Sequence, residues 1–214
     1  TCETLLDLST QRGSDETVVG ASHSVSSKIG FEKNDFNIST FGSQTSFGLE
    51  VHKDNKKGSA STNETSEDSL KETVDSAVTL AEFSIPDEYL CVADPQTPRE
   101  LPGRFDTKLQ ELPAEVLRKL AHGFIEEARK DGRVSIDTGD VSVNTSYSVI
   151  ANSKGLSVCD QTTRLAWSLM GMGKTETEVT SFDYLSGGTF QWEGSEEKIK
   201  ETATSLVNKL TKCF

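Results

Sequence analysis

Residues 47–83, FGLEVHKDNKKGSASTNETSEDSLKETVDSAVTLAEF, constrain the fold more than any other stretch, because two periodicities meet there. Phe47, Leu49 and Val51 alternate with Gly48, Glu50 and His52, the period of two of a half-buried strand. The run from Lys53 to Gly58 supplies turn residues and a glycine that tolerates positive φ. Gly58, Ser59, Ala60, Ser61 and Thr62 then form a second strand, with side chains small enough for another backbone to approach closely. Thr65 or Ser66 can cap a helix whose first turn carries Glu67 and Asp68, which suits the positive end of its dipole. Leu70, Val74, Ala77, Val78 and Ala81 fall on one apolar face of that helix.

The flanking chain repeats this order of strands and then a helix. Leu5, Leu6 and Leu8 ahead of Gly13 predict an opening helix with a glycine stop. Val18, Val25, Ile29 and Phe31 mark one or two strands, and Lys33-Asn34-Asp35 offers a hairpin turn. Phe36, Ile38 and Phe41 lead into a third strand, and Gly42-Ser43-Gln44 is read as a turn before Phe47. Pro86 ends the long helix, and residues 86–103 hold four of the five prolines in an irregular connector. Pro113 opens a helix whose core face is Val116, Leu117, Leu120, Phe124, Ile125 and Ala128, stopped at Asp131-Gly132. Apolar points from Val134 to Ile150, the turn at residues 152–155, and Trp167, Leu169 and Met170 mark a further strand pair. Val179, Phe182, Tyr184, Phe190 and Trp192 make at least one more strand. Ser195 is read as the cap of the last helix, with Glu196 and Glu197 in its first turn and Lys209 and Lys212 in its last. Segregated strands and helices predict an α+β fold, antiparallel sheets with helices packed on one side. The chain is read as one domain over 1–214, with lobes at 1–85 and 104–214 joined by the connector at 86–103.

Composition narrows the function classes. At 214 residues the chain can bury a sizeable core, but 34% hydrophobic residues favour one-sided sheets over a doubly covered parallel sheet. A net charge of -12 argues against nucleic acid or an anionic membrane as partner. No apolar run reaches the roughly 20 residues that span a bilayer. Cys2, Cys91, Cys159 and Cys213 form no C-x-x-C pair and are read as reduced, mostly buried thiols. With no secretion signal, the expected location is the cytoplasm. The chain opens on Thr1 rather than Met, which points to a start that lies upstream or was trimmed.

Chemistry-bearing motifs are sparse. His23, His52 and His122 are the only histidines, and none belongs to an H-E-x-x-H helix, so they read as surface or satisfied side chains. Residues 171–175, GMGKT, look like the end of a phosphate loop, but Ser168 stands where that pattern needs glycine, leaving a glycine-rich hairpin turn. No G-x-S-x-G element singles out a serine. Asp68, Glu72 and Asp75 follow helical spacing opposite the apolar face and read as solvated. Phe182, Tyr184, Phe190 and Trp192 alternate with polar residues and are read as core rather than as a binding stripe.

Four pieces of the chain together resemble the TldD/PmbA family, and specifically the N-terminal domain of its PmbA (TldE) branch. They are residues 12–16, RGSDE; the GSAST-to-LAEF segment; residues 151–155, ANSKG; and residues 180–184, TSFDY. The resemblance implies a cytosolic, peptide-processing zinc metalloprotease built from paired TldD and TldE subunits. In that family the zinc-binding H-E-x-x-x-H motif of TldD-type subunits lies beyond this domain, and TldE-type partners lack it. Accordingly no catalytic or metal-binding residue is assigned, no cofactor is expected in this chain, and zinc is expected only in a TldD-like partner. The catalytic-type C-terminal domain would begin where the chain stops, at a domain boundary or in a gene encoding this half only. The implied work is structural: pairing with a TldD-like subunit or with itself as a dimer, and helping to form the cleft for unfolded peptide. The candidate contact is a strand edge at Gly58, Ser59, Ala60, Ser61, Thr62 and Asn63 that receives backbone from a peptide or partner. The competing reading is a stand-alone interaction module without a proteolytic role.

Overall fold

A computed structural model describes residues 1–33, 35–99 and 101–212; Asn34 of the expected hairpin turn and Cys213 lie outside the described residues. The elements run α1 (Cys2–Gln11), β1 (Glu16–Glu32), β2 (Asp35–Lys53), β3 (Lys56–Thr62), α2 (Glu67–Phe83), α3 (Thr107–Gln110), α4 (Ala114–Ala128), β4 (Val134–Asn152), β5 (Ser157–Gly173), β6 (Asp183–Thr189) and α5 (Ser195–Thr211). The strands form one six-stranded sheet in the order β3-β2-β1-β4-β5-β6. β3 runs antiparallel to β2 from Phe47↔Thr62 to Lys53↔Lys56, and β6 runs antiparallel to β5 from Leu165↔Thr189 to Gly171↔Asp183. Backbone bonds from Lys33 to Asp137 and from Ser153 to Thr17 set β1 antiparallel to β4. The fold is α+β.

The chain divides into two compact units, each drawing on separated segments. Unit 1 comprises Thr1–Ser24, Ser43–Glu100 and Ser146–Gln161; unit 2 comprises Val25–Gly42, Leu101–Thr145 and Thr162–Phe214. In unit 1, α1 and α2 cover one face of the strands, closing Leu5, Leu70, Val74, Ala77 and Ala81 over Val19, Phe47, Leu49 and Val51. In unit 2, Leu117, Leu120 and Phe124 of α4 and Ile199, Ala203 and Leu206 of α5 close over Val141, Leu165, Trp167 and Leu169. Both cores take alternate strand residues and helix residues at spacings of three and four, the two periods legible in the sequence.

Several local readings change. Residues 42–44 make no turn, because β2 continues through them with Gly42 beside the Ser26 hydroxyl of β1. Ser66 caps α2 by accepting from the Ser69 amide at 3.3 Å, but α5 is capped by Gly194, whose φ of 72° only glycine adopts cheaply. Ser195 instead enters the helix and is buried, with no hydrogen-bond partner for its hydroxyl among the described residues. The thiols are not mostly buried: Cys91 and Cys159 are exposed and Cys2 is half-buried. Phe182, Tyr184 and Phe190 are exposed too: the even-numbered residues of β6 face away from α5, and Phe182 and Phe190 flank that strand; only Trp192 packs against the core. Residues 171–175 end β5 and enter the expected hairpin, closed by the Lys174↔Val179 bridge.

Candidate functional site: the edge strand β3

The β2–β3 turn decides which backbone groups of β3 are open. Asp54 and Asn55 have φ of 52° and 60°, the mirror-image turn that joins strands through two residues. Positive φ therefore falls on these two residues and not on Gly58. Such a turn closes on a hydrogen-bonded pair, Lys53 with Lys56, and bonded pairs then alternate along an antiparallel ladder. Val51–Gly58, Leu49–Ala60 and Phe47–Thr62 are thus bonded pairs, and Lys57, Ser59 and Ser61 direct N–H and C=O away from β2. β3 is the terminal strand, so these groups face outward. The Lys57 carbonyl is already taken, accepting from the Ser84 hydroxyl at 2.6 Å.

The six expected site residues separate accordingly. Ser59 and Ser61 are exposed and carry the open backbone. Gly58 is buried on the other face, where an added Cβ would collide with the Ala77 carbonyl and the Ala81 amide of α2. The small residues do admit another backbone, but at Gly58 it is the chain's own helix. Ala60 packs against the same core. The Thr62 hydroxyl meets that of Ser69 at 3.0 Å and accepts from the Glu64 amide at 3.1 Å, which turns the chain into α2. Asn63 is exposed beyond the strand.

A polar cluster in unit 1 is absent from the sequence reading. His52 is buried, and its ring nitrogens lie 3.0 Å from a Glu50 carboxylate oxygen and 3.4 Å from one of Glu16. Lys154 donates to Glu16 at 2.9 Å and to the Val92 carbonyl at 3.2 Å. Glu16 accepts from the Val92 amide at 2.9 Å, and the Asn152 side-chain amide donates to the Ala93 carbonyl at 2.7 Å. These bonds tie the connector to the strands and bury Val92 as a plug. Lys154 holds the Glu16 carboxyl below its usual range, helped by the Val92 amide, and His52 does the same to Glu50. Glu16 in turn raises Lys154. Glu50-x-His52, on one face of β2, was the available signal; Glu16, Val92 and Lys154 are too far apart in sequence to give one. Among the described residues no three His, Cys, Asp or Glu side chains gather as a metal site. Among the described residues no helix is long and apolar enough to cross a membrane.

Comparison with known proteins defines the class first. Residues 18–81 match the PmbA/TldA metallopeptidase domain 1, and residues 107–212 match the PmbA/TldA metallopeptidase central domain. The chain belongs to the PmbA/TldD metallopeptidase family. The search of curated proteins finds no match. Among solved structures, TldE from Thermococcus kodakarensis is similar at 22% identity and TM-score 0.82, over 96% of this chain and 47% of that one. A candidate modulator of DNA gyrase from Bacteroides thetaiotaomicron is similar at 18% identity and TM-score 0.82, over 98% of this chain and 49% of that one. A candidate modulator of a DNA gyrase from Thermotoga maritima is similar at 16% identity and TM-score 0.79, over 96% and 46%. At these identities the likeness is one of fold, and the chain spans about half the length of each of these structures.

Proposed function

We propose that this chain forms the first two domains of a TldE/PmbA-like subunit of a cytosolic zinc metallopeptidase acting on unfolded peptides. Its part is to pair with a TldD-like subunit and to shape the substrate cleft, while zinc and the hydrolytic chemistry reside in that partner. The observation that carries the reading is the presence of both family domains in order, on a fold shared with TldE across 96% of the chain. The proposed point of contact is the edge of β3 at Ser59 and Ser61, whose open N–H and C=O groups can extend the sheet onto a peptide or subunit strand.

The test is to mix the chain with a TldD-like protein and measure mass by light scattering after size exclusion. Co-elution at the summed mass is expected, and separate elution would favour a stand-alone interaction module. Ser59→Trp with Ser61→Trp should weaken that complex or its peptide hydrolysis. Unchanged behaviour would remove the edge from the proposal.

A further inference from the structure

The helical layer of unit 2 carries an apolar groove between α4 and α5, about 280 Å³ in volume. Leu120, Phe124 and Ile199 are buried and make its floor, and half-buried Val116 walls one side. Its polar side chains stand on the rim: Lys119 from α4, with Glu196 and Lys200 from α5, all exposed.

Gly123 keeps this space open. It lies inside α4, where glycine is a weaker helix former than alanine. Its φ is outside the left-handed region, and a Cβ added there would meet nothing within 4 Å. Neither the backbone nor the packing of the chain therefore requires glycine at this position. What the missing side chain leaves is room over the apolar floor.

The rim is charged to suit an anion. On α4 and the turn after it, Arg118, Arg129 and Lys130 each pair with an acidic neighbour. The side chains of Lys119 and Lys200 make no ion pair or hydrogen bond among the described residues. Glu196, four residues before Lys200, offsets one of these two charges, so the groove has a single positive charge to offer. The apolar stretch is also short. Further along the same helices the Thr204 hydroxyl donates to Glu127 at 3.5 Å and closes the seam. That leaves room for one slim tail, and not for the successive apolar anchors of a partner helix.

We infer that the groove binds a medium-chain aliphatic monocarboxylate. Its tail lies over Gly123 on Leu120, Phe124 and Ile199, and its carboxylate accepts from Lys119 and Lys200. The volume limits the chain length, since it falls just below the roughly 300–1,000 Å³ of sites for drug-sized ligands.

The test is an amide NMR titration of the chain with decanoate, alongside decanol and decyltrimethylammonium. Decanoate should shift the Gly123 and Ile199 amides saturably, and the cation of equal tail length should bind at least about fivefold more weakly. Lys119→Ala with Lys200→Ala should weaken decanoate by about fivefold and leave decanol unchanged. Gly123→Leu fills the groove and should weaken decanoate by about tenfold or more. Its Tm should not fall, because leucine is the better helix former. Equal binding of the three head groups, no saturable shift at Gly123 and Ile199, or a Gly123→Leu protein that binds like the parent would each overturn the inference. So would a chain that takes no decanoate while Gly123→Leu abolishes its complex with a TldD-like protein, which would assign the groove to a protein partner. Pairing through β3 is tested separately, by the Ser59 and Ser61 variants.

Discussion

The terminal strands β3 and β6 are each seven residues long and pair antiparallel with one neighbour, and each turns a glycine toward its core. The glycines meet different obstacles. At Gly58 the space is taken by helix backbone, the Ala77 carbonyl and the Ala81 amide. At Gly187 it is taken by a ring, with Trp167 Cε2 2.6 Å from where a Cβ would stand. Backbone in a helix cannot yield without breaking its own hydrogen bonds. The indole can yield, although its Nε1 donates to the Thr202 hydroxyl at 2.8 Å and the ring is buried. One residue type thus marks a rigid limit on one edge and an adjustable fit on the other.

The largest effect should follow from Gly58→Ala, which forces α2 away from β3 at an expected cost of about 3 kcal/mol or more. In thermal unfolding that corresponds to a fall in Tm of roughly 6–12 °C. If the protein melts like the parent, the close approach of α2 is wrong. Gly187→Ala should cost less, about 1–2 kcal/mol, and should shift Trp167 fluorescence as the ring moves. A variant as damaging as Gly58→Ala would erase the contrast between the two edges.

Glu16→Gln should cost about 1 kcal/mol and speed proteolysis within residues 86–99, because the connector loses its charged anchor. The pH dependence has a definite sign. Glu16 has a folded pKa below its ordinary value of 4.5, so its stabilisation is complete above that value. It is lost as pH falls through the lower folded value. Acid should therefore loosen the connector of the parent protein, and Glu16→Gln should flatten that response in a protease-susceptibility profile against pH. The smallest effect is expected at the Arg12–Asp75 ion pair joining the end of α1 to α2. Both groups are solvent-exposed, so Arg12→Ala should leave Tm within about 1 °C of the parent.

What could be read ahead of the structure was whatever depends on short sequence spacing. The alternation at residues 47–51, the cap at Ser66 and the helical faces of α2, α4 and α5 are local patterns, and the structure has them. The small side chains of β3 told of a close approach at Gly58, but no local pattern could tell whose backbone approached. Gly42 misled as a turn, because a glycine inside a strand and one at a reversal look alike in a polar stretch. The exposed aromatics misled because only one face of β6 packs against α5, a fact of the folded arrangement and not of residue type. The cluster of Glu16, His52, Val92 and Lys154 joins four separated segments, and only the folded chain brings them together.

β1, β2, β4 and β5 each contribute to both compact units, so neither unit is a contiguous stretch of chain. Unit 1 takes its last segment from Ser146–Gln161 and unit 2 takes its first from Val25–Gly42. On the ribosome, unit 1 cannot close until residue 161 has emerged, although its helices are complete by residue 83. Unit 2 waits for α5, at the end of the described chain. The strands that contribute to both units must therefore stay incompletely paired through much of synthesis, when long-range strand pairing is slow and unpaired edges are most prone to stray association.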